Sequence, residues 1–352
     1  MLFDVYIVSA SGKAFQPTDE GEVLGILYNI PRWEMSLDAK KLDPILSLLF
    51  TILEADWADN DDVASLNGKI CHYHLLAGNL GRYERAFLLH LQDRSQFPAE
   101  KVKVTPQARS QCQWWIVMLW DAKNAVPIPD IRKQFPAASL ALYTDAAGLP
   151  SIMEMKRSLN GWGSVMVHGG QAVMCLYKWP AGMFTPEETY SHKMSFLEGL
   201  AGLAGLYSVA DIVAGKAVTL YMDNRGLVFG YYKGHSSCDY TSSVILALKR
   251  FSVSIGTQLA LEWVPRCSCK MTVAADFLSK GQLNLASREV GLPVKPGRYS
   301  LTLQAYVDSP TITRVLGQAL AVEAGQFMRT VPTGLESKTE VETLVRLKQT
   351  KY

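Results

Sequence analysis

The feature that most constrains this chain is the order of elements readable after residue 138, where strand-like and helix-like segments alternate. Leu140 to Thr144 reads as a strand, and Gly161 to Val167 with Ala172 to Tyr177 as an antiparallel pair. Ser195 to Ala210 is a helix rich in leucine and alanine, and Ala217 to Met222 is a fourth strand. Tyr240 to Arg250 is helical, Gln258 to Val264 is a fifth strand, and Thr272 to Lys280 is a last short helix. Three strands in a meander followed by helix, strand, helix, strand, helix predict an α/β fold: a mixed five-stranded sheet with helices on both faces.

Upstream, residues 1–94 predict a small, mostly helical domain that opens on a hairpin. Val23 to Ile30 is a strand, and Trp33 to Leu37 returns. Asp43 and Pro44 start one helix, Asp61 and Asp62 another, in which Val63, Leu66, Ile70 and Tyr73 share a face. Residues 95–137 read as a connection around one helix capped by Thr105 with Pro106 at its first position. Its Trp114, Trp115 and Trp120 invite a base-stacking reading, although helical spacing favours a core role. The domain that follows spans 138–283. The tail, 284–352, has turn signals and no assignable role.

Composition excludes more than it identifies. Apolar residues make up 48% and charged residues 19%, and no apolar run approaches the ~20 residues that span a bilayer. The N-terminal stretch has no basic region ahead of its apolar residues, so an intracellular chain without membrane contact is expected. Six cysteines lack the spacing of a disulfide framework. Neither Cys71, His72 and His74 nor Cys267 and Cys269 has a second ligand pair at a finger-like distance. A net charge of +2 leaves nucleic acid open, because phosphate binding needs local positive charge.

Four acids carry the chemistry. Asp145 closes the first strand in LYTDAAG, and Asp223 closes the fourth in LYMDNRG. Glu198 lies among Leu197, Leu200 and Leu203, and Asp276 between Ala275 and Phe277. A carboxylate in such apolar surroundings needs a partner or a metal. If the first strand is central, its neighbour is the fourth and their terminal carboxylates share a cation. Converging carboxylates repel unless cations neutralise them, and oxygen ligands favour Mg²⁺ or Mn²⁺. Two such ions ~4 Å apart activate water and stabilise a leaving oxygen.

The segments YTDAAG, GWGSV, MSFLEGLAGL, VTLYMDNRG, EWVPRCS and AADFLSKG resemble the ribonuclease H domain of reverse transcriptases, particularly those of tyrosine-recombinase (DIRS-like) retroelements. The resemblance implies that Asp145, Glu198, Asp223 and Asp276 hold two Mg²⁺ or Mn²⁺ ions and that the substrate is the RNA strand of an RNA/DNA hybrid. Backbone around Ala146 to Gly148 and the Asn224 amide are the natural readers of the 2′-hydroxyl. Where cellular ribonucleases H carry a histidine, the loop here reads PRCSCKM, so Arg266 or Lys270 would meet phosphate instead.

Upstream, VLGILYNI, LNGKICHY and GRYERAFLLHL resemble the segment after the polymerase palm, including its thumb, where Gly68 and Lys69 would approach the template-primer backbone. No YxDD-like turn precedes Lys13, so DNA synthesis would need a palm supplied by a separate polymerase or other retroelement proteins. The competing reading is a non-catalytic nucleic-acid-binding or protein-interaction module derived from a retroelement. A transposase or integrase is disfavoured because Glu198 stands on the first helix and Asp276 on the last. A proofreading-type exonuclease is disfavoured because Ala147 stands where a second acid is needed.

Overall fold

In the computed structural model the described residues are 20–23, 25–94, 100–122, 125–128, 140–148, 161–178 and 193–296. The chain divides into two compact units, Met1–Asp130 and Ile131–Tyr352.

The first unit combines a four-stranded antiparallel sheet with helices. Strands β1 (Glu20–Val23), β2 (Ile26–Asn29) and β3 (Glu34–Leu37) form a meander, extended by β6 (Val126–Pro127) beside β3. The single strand expected over Val23 to Ile30 is thus two, broken where Gly25 takes φ +84°, a conformation open to glycine. Helix α1 (Ala39–Glu54) starts a turn before the expected Asp43, because the Asp38 carboxylate accepts from the Lys40 N–H and caps it there. β4 (Trp57–Asp59), α2 (Asn60–Tyr73), α3 (Ala86–Arg94), β5 (Lys101–Lys103) and α4 (Pro106–Ala122) complete the unit. Thr105 Oγ1 accepts from the Ala108 N–H at the start of α4. Trp115 is buried and donates to the Glu84 carbonyl, so its ring belongs to the core; Trp120 is exposed.

The second unit holds one mixed sheet. β7 (Leu140–Ala146), β8 (Gly161–His168) and β9 (Gln171–Lys178) form the antiparallel meander. α5 (Lys193–Ser208) and α6 (Ala210–Val213) lead to β10 (Ala217–Met222), which lies parallel to β7. α7 (Arg225–Lys233) and α8 (Asp239–Ser254) precede β11 (Gln258–Trp263), parallel to β10 at the sheet edge. α9 (Lys270–Ser279) and α10 (Leu283–Val290) follow, and β12 (Val294–Pro296) adds in parallel to β9. The order is β11-β10-β7-β8-β9-β12, so among the described residues the sheet has six strands and not the expected five. Residues 284–296, expected beyond the domain, supply that strand. Ala286 and Val290 bury against Val165, Met174, Ala274 and Leu278, a gain in apolar burial that fixes α10 and the strand after it.

Helices cover both faces. Gly205 of α5 lies over Thr144 and Ser164, whereas α9 lies over Gly163, the register partner of Asp145. Neighbouring residues on a strand point to opposite faces, so α5 and α9 sit on opposite sides of β7 and β8. Stacking of Tyr143 on Tyr221, 4.7 Å between ring centroids, ties the central parallel pair.

Candidate metal centre

Three of the four acids, Asp145, Glu198 and Asp223, gather at the C-terminal ends of β7 and β10, which pair in parallel. Asp145 is the penultimate residue of β7, and Asp223 follows the last residue of β10. Because these strands pair directly, their ends present both carboxylates to one place. Glu198 enters from the first turns of α5, a helix apolar all round and therefore buried in the unit. Oxygens of Asp145, Glu198 and Asp223 lie within 4.8 Å of one another.

Asp276 is linked to this group from the opposite face. Arg266 Nε lies 3.1 Å from Asp223 Oδ2 and 3.7 Å from Asp276 Oδ1, and its terminal nitrogen 3.5 Å from Asp145 Oδ1. Ser279, on the same helix as Asp276, donates to Asp145 Oδ2 at 2.6 Å. Lys280 Nζ lies 2.6 Å from Asp276 Oδ2. Close approach of α9 to the sheet makes these contacts reachable, and Gly163 permits it. A Cβ at that position would overlap Leu278 Cβ and stand 2.7 Å from the Ser279 nitrogen.

Burial and neighbouring charge act against ionisation of the two most buried carboxyls, Glu198 and Asp145. Glu198 is 2% exposed; burial pushes its carboxyl well above the usual range, and Asp145 and Asp223 push it the same way. The Ala146 N–H, donating to Glu198, and the Arg266 charge oppose that rise without cancelling it. Asp145 is also raised by burial, against the Ser279 hydrogen bond and Arg266. Glu198 Oε2 and Asp276 Oδ1 are buried without a hydrogen-bond partner. An all-oxygen set with two such atoms suits a hard divalent cation, so these residues fit Mg²⁺ or Mn²⁺.

The other residues singled out in the sequence are placed differently. Arg266 is exposed and also reaches the carboxylates of Asp145, Asp223 and Asp276. Lys270 is exposed at the first position of α9, in no described ion pair with the acids. The Ala146 N–H donates to Glu198 and so orients that carboxylate. Asn224 Oδ1 caps α7 by accepting from the Leu227 N–H and also accepts from Ser195 Oγ, which leaves its amide nitrogen to donate. Gly148 is half-buried beside Met194. Gly68 is exposed on α2 with open space around its Cα, and Lys69 is half-buried; both belong to the first unit. Sequence reasoning missed Ser279 and Gly163. The AADFLSKG segment could have pointed to Ser279, three residues after Asp276 and hence on its side of the helix.

No protein-family model matches this chain, and no curated protein matches it. Among solved structures, ribonuclease H1 from the halophilic archaeon Halobacterium salinarum NRC-1 is similar, with 16% identity over 42% of this chain and 98% of that chain, at a TM-score of 0.29.

Proposed function

We propose that the chain is a metal-dependent endonuclease that hydrolyses the RNA strand of RNA/DNA hybrids, as part of a retroelement reverse transcriptase whose polymerase centre lies elsewhere. The observation that carries this reading is the Glu198 carboxylate, buried, lacking a partner for one oxygen, and within reach of Asp145 and Asp223 at the ends of paired parallel strands. A carboxylate kept only for folding would be paired, since an unpaired buried charge is strongly destabilising. The local resemblance of YTDAAG, MSFLEGLAGL, LYMDNRG and AADFLSKG to retroelement ribonuclease H domains supports the substrate class.

In this reading Asp145, Glu198, Asp223 and Asp276 hold two divalent ions. Bound there, Mg²⁺ or Mn²⁺ supplies a nucleophile from water at neutral pH and stabilises the charge that develops on the phosphodiester. The chain's own groups do the positioning. Ser279 and the Ala146 N–H fix the orientation of Asp145 and Glu198. The Asn224 amide nitrogen, its oxygen held by the α7 cap, offers a donor to a 2′-hydroxyl, the group that separates RNA from DNA. Lys270 on the exposed start of α9 offers a charge to a phosphate, and Gly68 with Lys69 offer sequence-independent contacts from the first unit.

The test is cleavage of a labelled hybrid in Mn²⁺ by the wild-type chain and by Asp223→Asn. The wild type is expected to cut, and the variant to lose at least ~10²-fold in rate, because removal of a metal ligand removes transition-state stabilisation directly. A fully active Asp223→Asn chain would exclude this mechanism. Hybrid binding in chelator without cutting in any metal would favour the non-catalytic module.

A further inference from the structure

The carboxylates of the cluster are unequally provided with cations. Asp276 has Lys280 Nζ at one oxygen and Arg266 Nε at the other. Arg266 also reaches Asp223 and Asp145. On the far side, Glu198 Oε2 is buried without a partner, and no described ion pair includes Glu198. Positive charge from the protein thus lies among the three aspartates, while Glu198 keeps one oxygen without a partner.

Resting on the metal-centre reading above, we infer that Arg266 is a built-in competitor for the second of the two divalent ions. Asp145, Glu198 and Asp223 would hold the first ion, since their oxygens converge and Glu198 is in no described ion pair. A second ion would be held by Asp276 with Asp145 once the guanidinium has left those carboxylates. Three features suit Arg266 to such exchange. Its side chain is 54% exposed, so leaving the carboxylates returns it to water at little desolvation penalty. Its contacts to the three aspartates, at 3.1 to 3.7 Å, are looser than a paired two-bond guanidinium–carboxylate fork. Its loop is held independently of the side chain: the Val264 N–H donates to the Met222 carbonyl, the Ser268 N–H to the Pro265 carbonyl and the Val273 N–H to the Cys269 carbonyl. Rotation of the side chain alone therefore vacates the cluster while the backbone stays. A guanidinium is charged at every relevant pH, so the competition is one of position and not of titration.

The inference predicts stepwise metal binding whose second step depends on Arg266 more than the first. The experiment is calorimetric titration of the full chain with Mn²⁺, without nucleic acid, comparing wild type, Arg266→Gln, Arg266→Ala and Arg225→Gln. Arg225 lies over the Trp263 ring, whose Nε1 donates to the Asp223 carbonyl, so it removes one nearby charge without removing a carboxylate contact. Wild type is expected to bind two ions with distinct affinities. Both Arg266 variants should tighten the second by about tenfold, the scale of one half-exposed charge a few ångströms away, and the first by less, since Arg266 also touches Asp223 and Asp145 but not Glu198. Arg225→Gln should move neither beyond about twofold. A second affinity unchanged or weakened in both Arg266 variants overturns the inference, as does equal tightening of both steps or the same gain from Arg225→Gln. These results would leave the metal centre standing. If neither wild type nor the variants bind Mn²⁺ at millimolar concentration, the metal centre and this inference fall together.

Discussion

Glu198 concentrates the energetic conflict of the site in one side chain. Its carboxyl is buried, raised well above the ordinary range by that burial and by Asp145 and Asp223, and left with a bare oxygen. A folded-state value above the unfolded one, about 4.3 for glutamate, means stability that is present below the unfolded value and lost as pH rises through the folded one. In chelator, Glu198→Gln should therefore melt higher than wild type at pH 8, by about 2–4 °C, the shift ~1 kcal/mol gives in a unit of this size. The gap should close as pH falls toward 4, where both side chains are neutral. Adding Mn²⁺ should reverse the order, because wild type gains a ligand that the amide cannot replace. A Glu198→Gln chain less stable than wild type in chelator at pH 8 would show that the carboxylate already has a protein partner. Ser279 and Ala146 act in the opposite sense, since their hydrogen bonds favour charged Asp145 and Glu198.

At the scale of elements, the site depends on two helices brought unusually near the sheet from opposite faces. On α5, a Cβ at Gly205 would come to 2.9 Å from Thr144 Cγ2, so the absent side chain lets the helix that carries Glu198 settle on β7. On α9, Gly163 does the same for Asp276 and Ser279 from the strand side. Gly163→Ala should destabilise the chain by ~1–3 kcal/mol through overpacking. It should also lower hybrid cleavage beyond the loss of folded protein, because Ser279 and Asp276 move with the helix. Denaturant midpoints and rates per folded molecule check both, and an unchanged rate with an unchanged midpoint would show that α9 yields freely. The sequence made the five main strands readable because their apolar runs are bounded by turn residues, and it made the pairing of Asp145 with Asp223 readable because a meander followed by a crossover makes β7 central. It hid α7, whose RGLVFGYYK carries two glycines and aromatic residues in place of a helical apolar stripe, and whose start depends on the Asn224 cap. β12 was hidden too, being three residues ending in proline, ordered through the burial of α10 and not by its own pattern. Arg266 among the carboxylates was illegible for another reason: the turn after it puts Cys267 at φ +62° without a glycine to announce it.

For the whole molecule, the residues of the proposed function are divided between the two units. The second unit carries the acidic cluster, and the first offers helices with Gly68 and Lys69 on α2. Among the described residues no helix is long and apolar enough to cross a membrane. The central claim is that the cluster cuts RNA paired with DNA, reading the 2′-hydroxyl beside the metal-holding acids while affinity comes from phosphate contacts that salt weakens. The most direct measurement compares an RNA/DNA hybrid, a DNA duplex and an RNA duplex of one sequence, each labelled on either strand, incubated with the full chain in Mn²⁺ at two salt concentrations. The account predicts cutting confined to the RNA strand of the hybrid, with binding that weakens steeply in the higher salt and a strand choice that does not change. Cutting of the DNA duplex at a rate equal to that of the hybrid, or of no substrate under either condition, would contradict it.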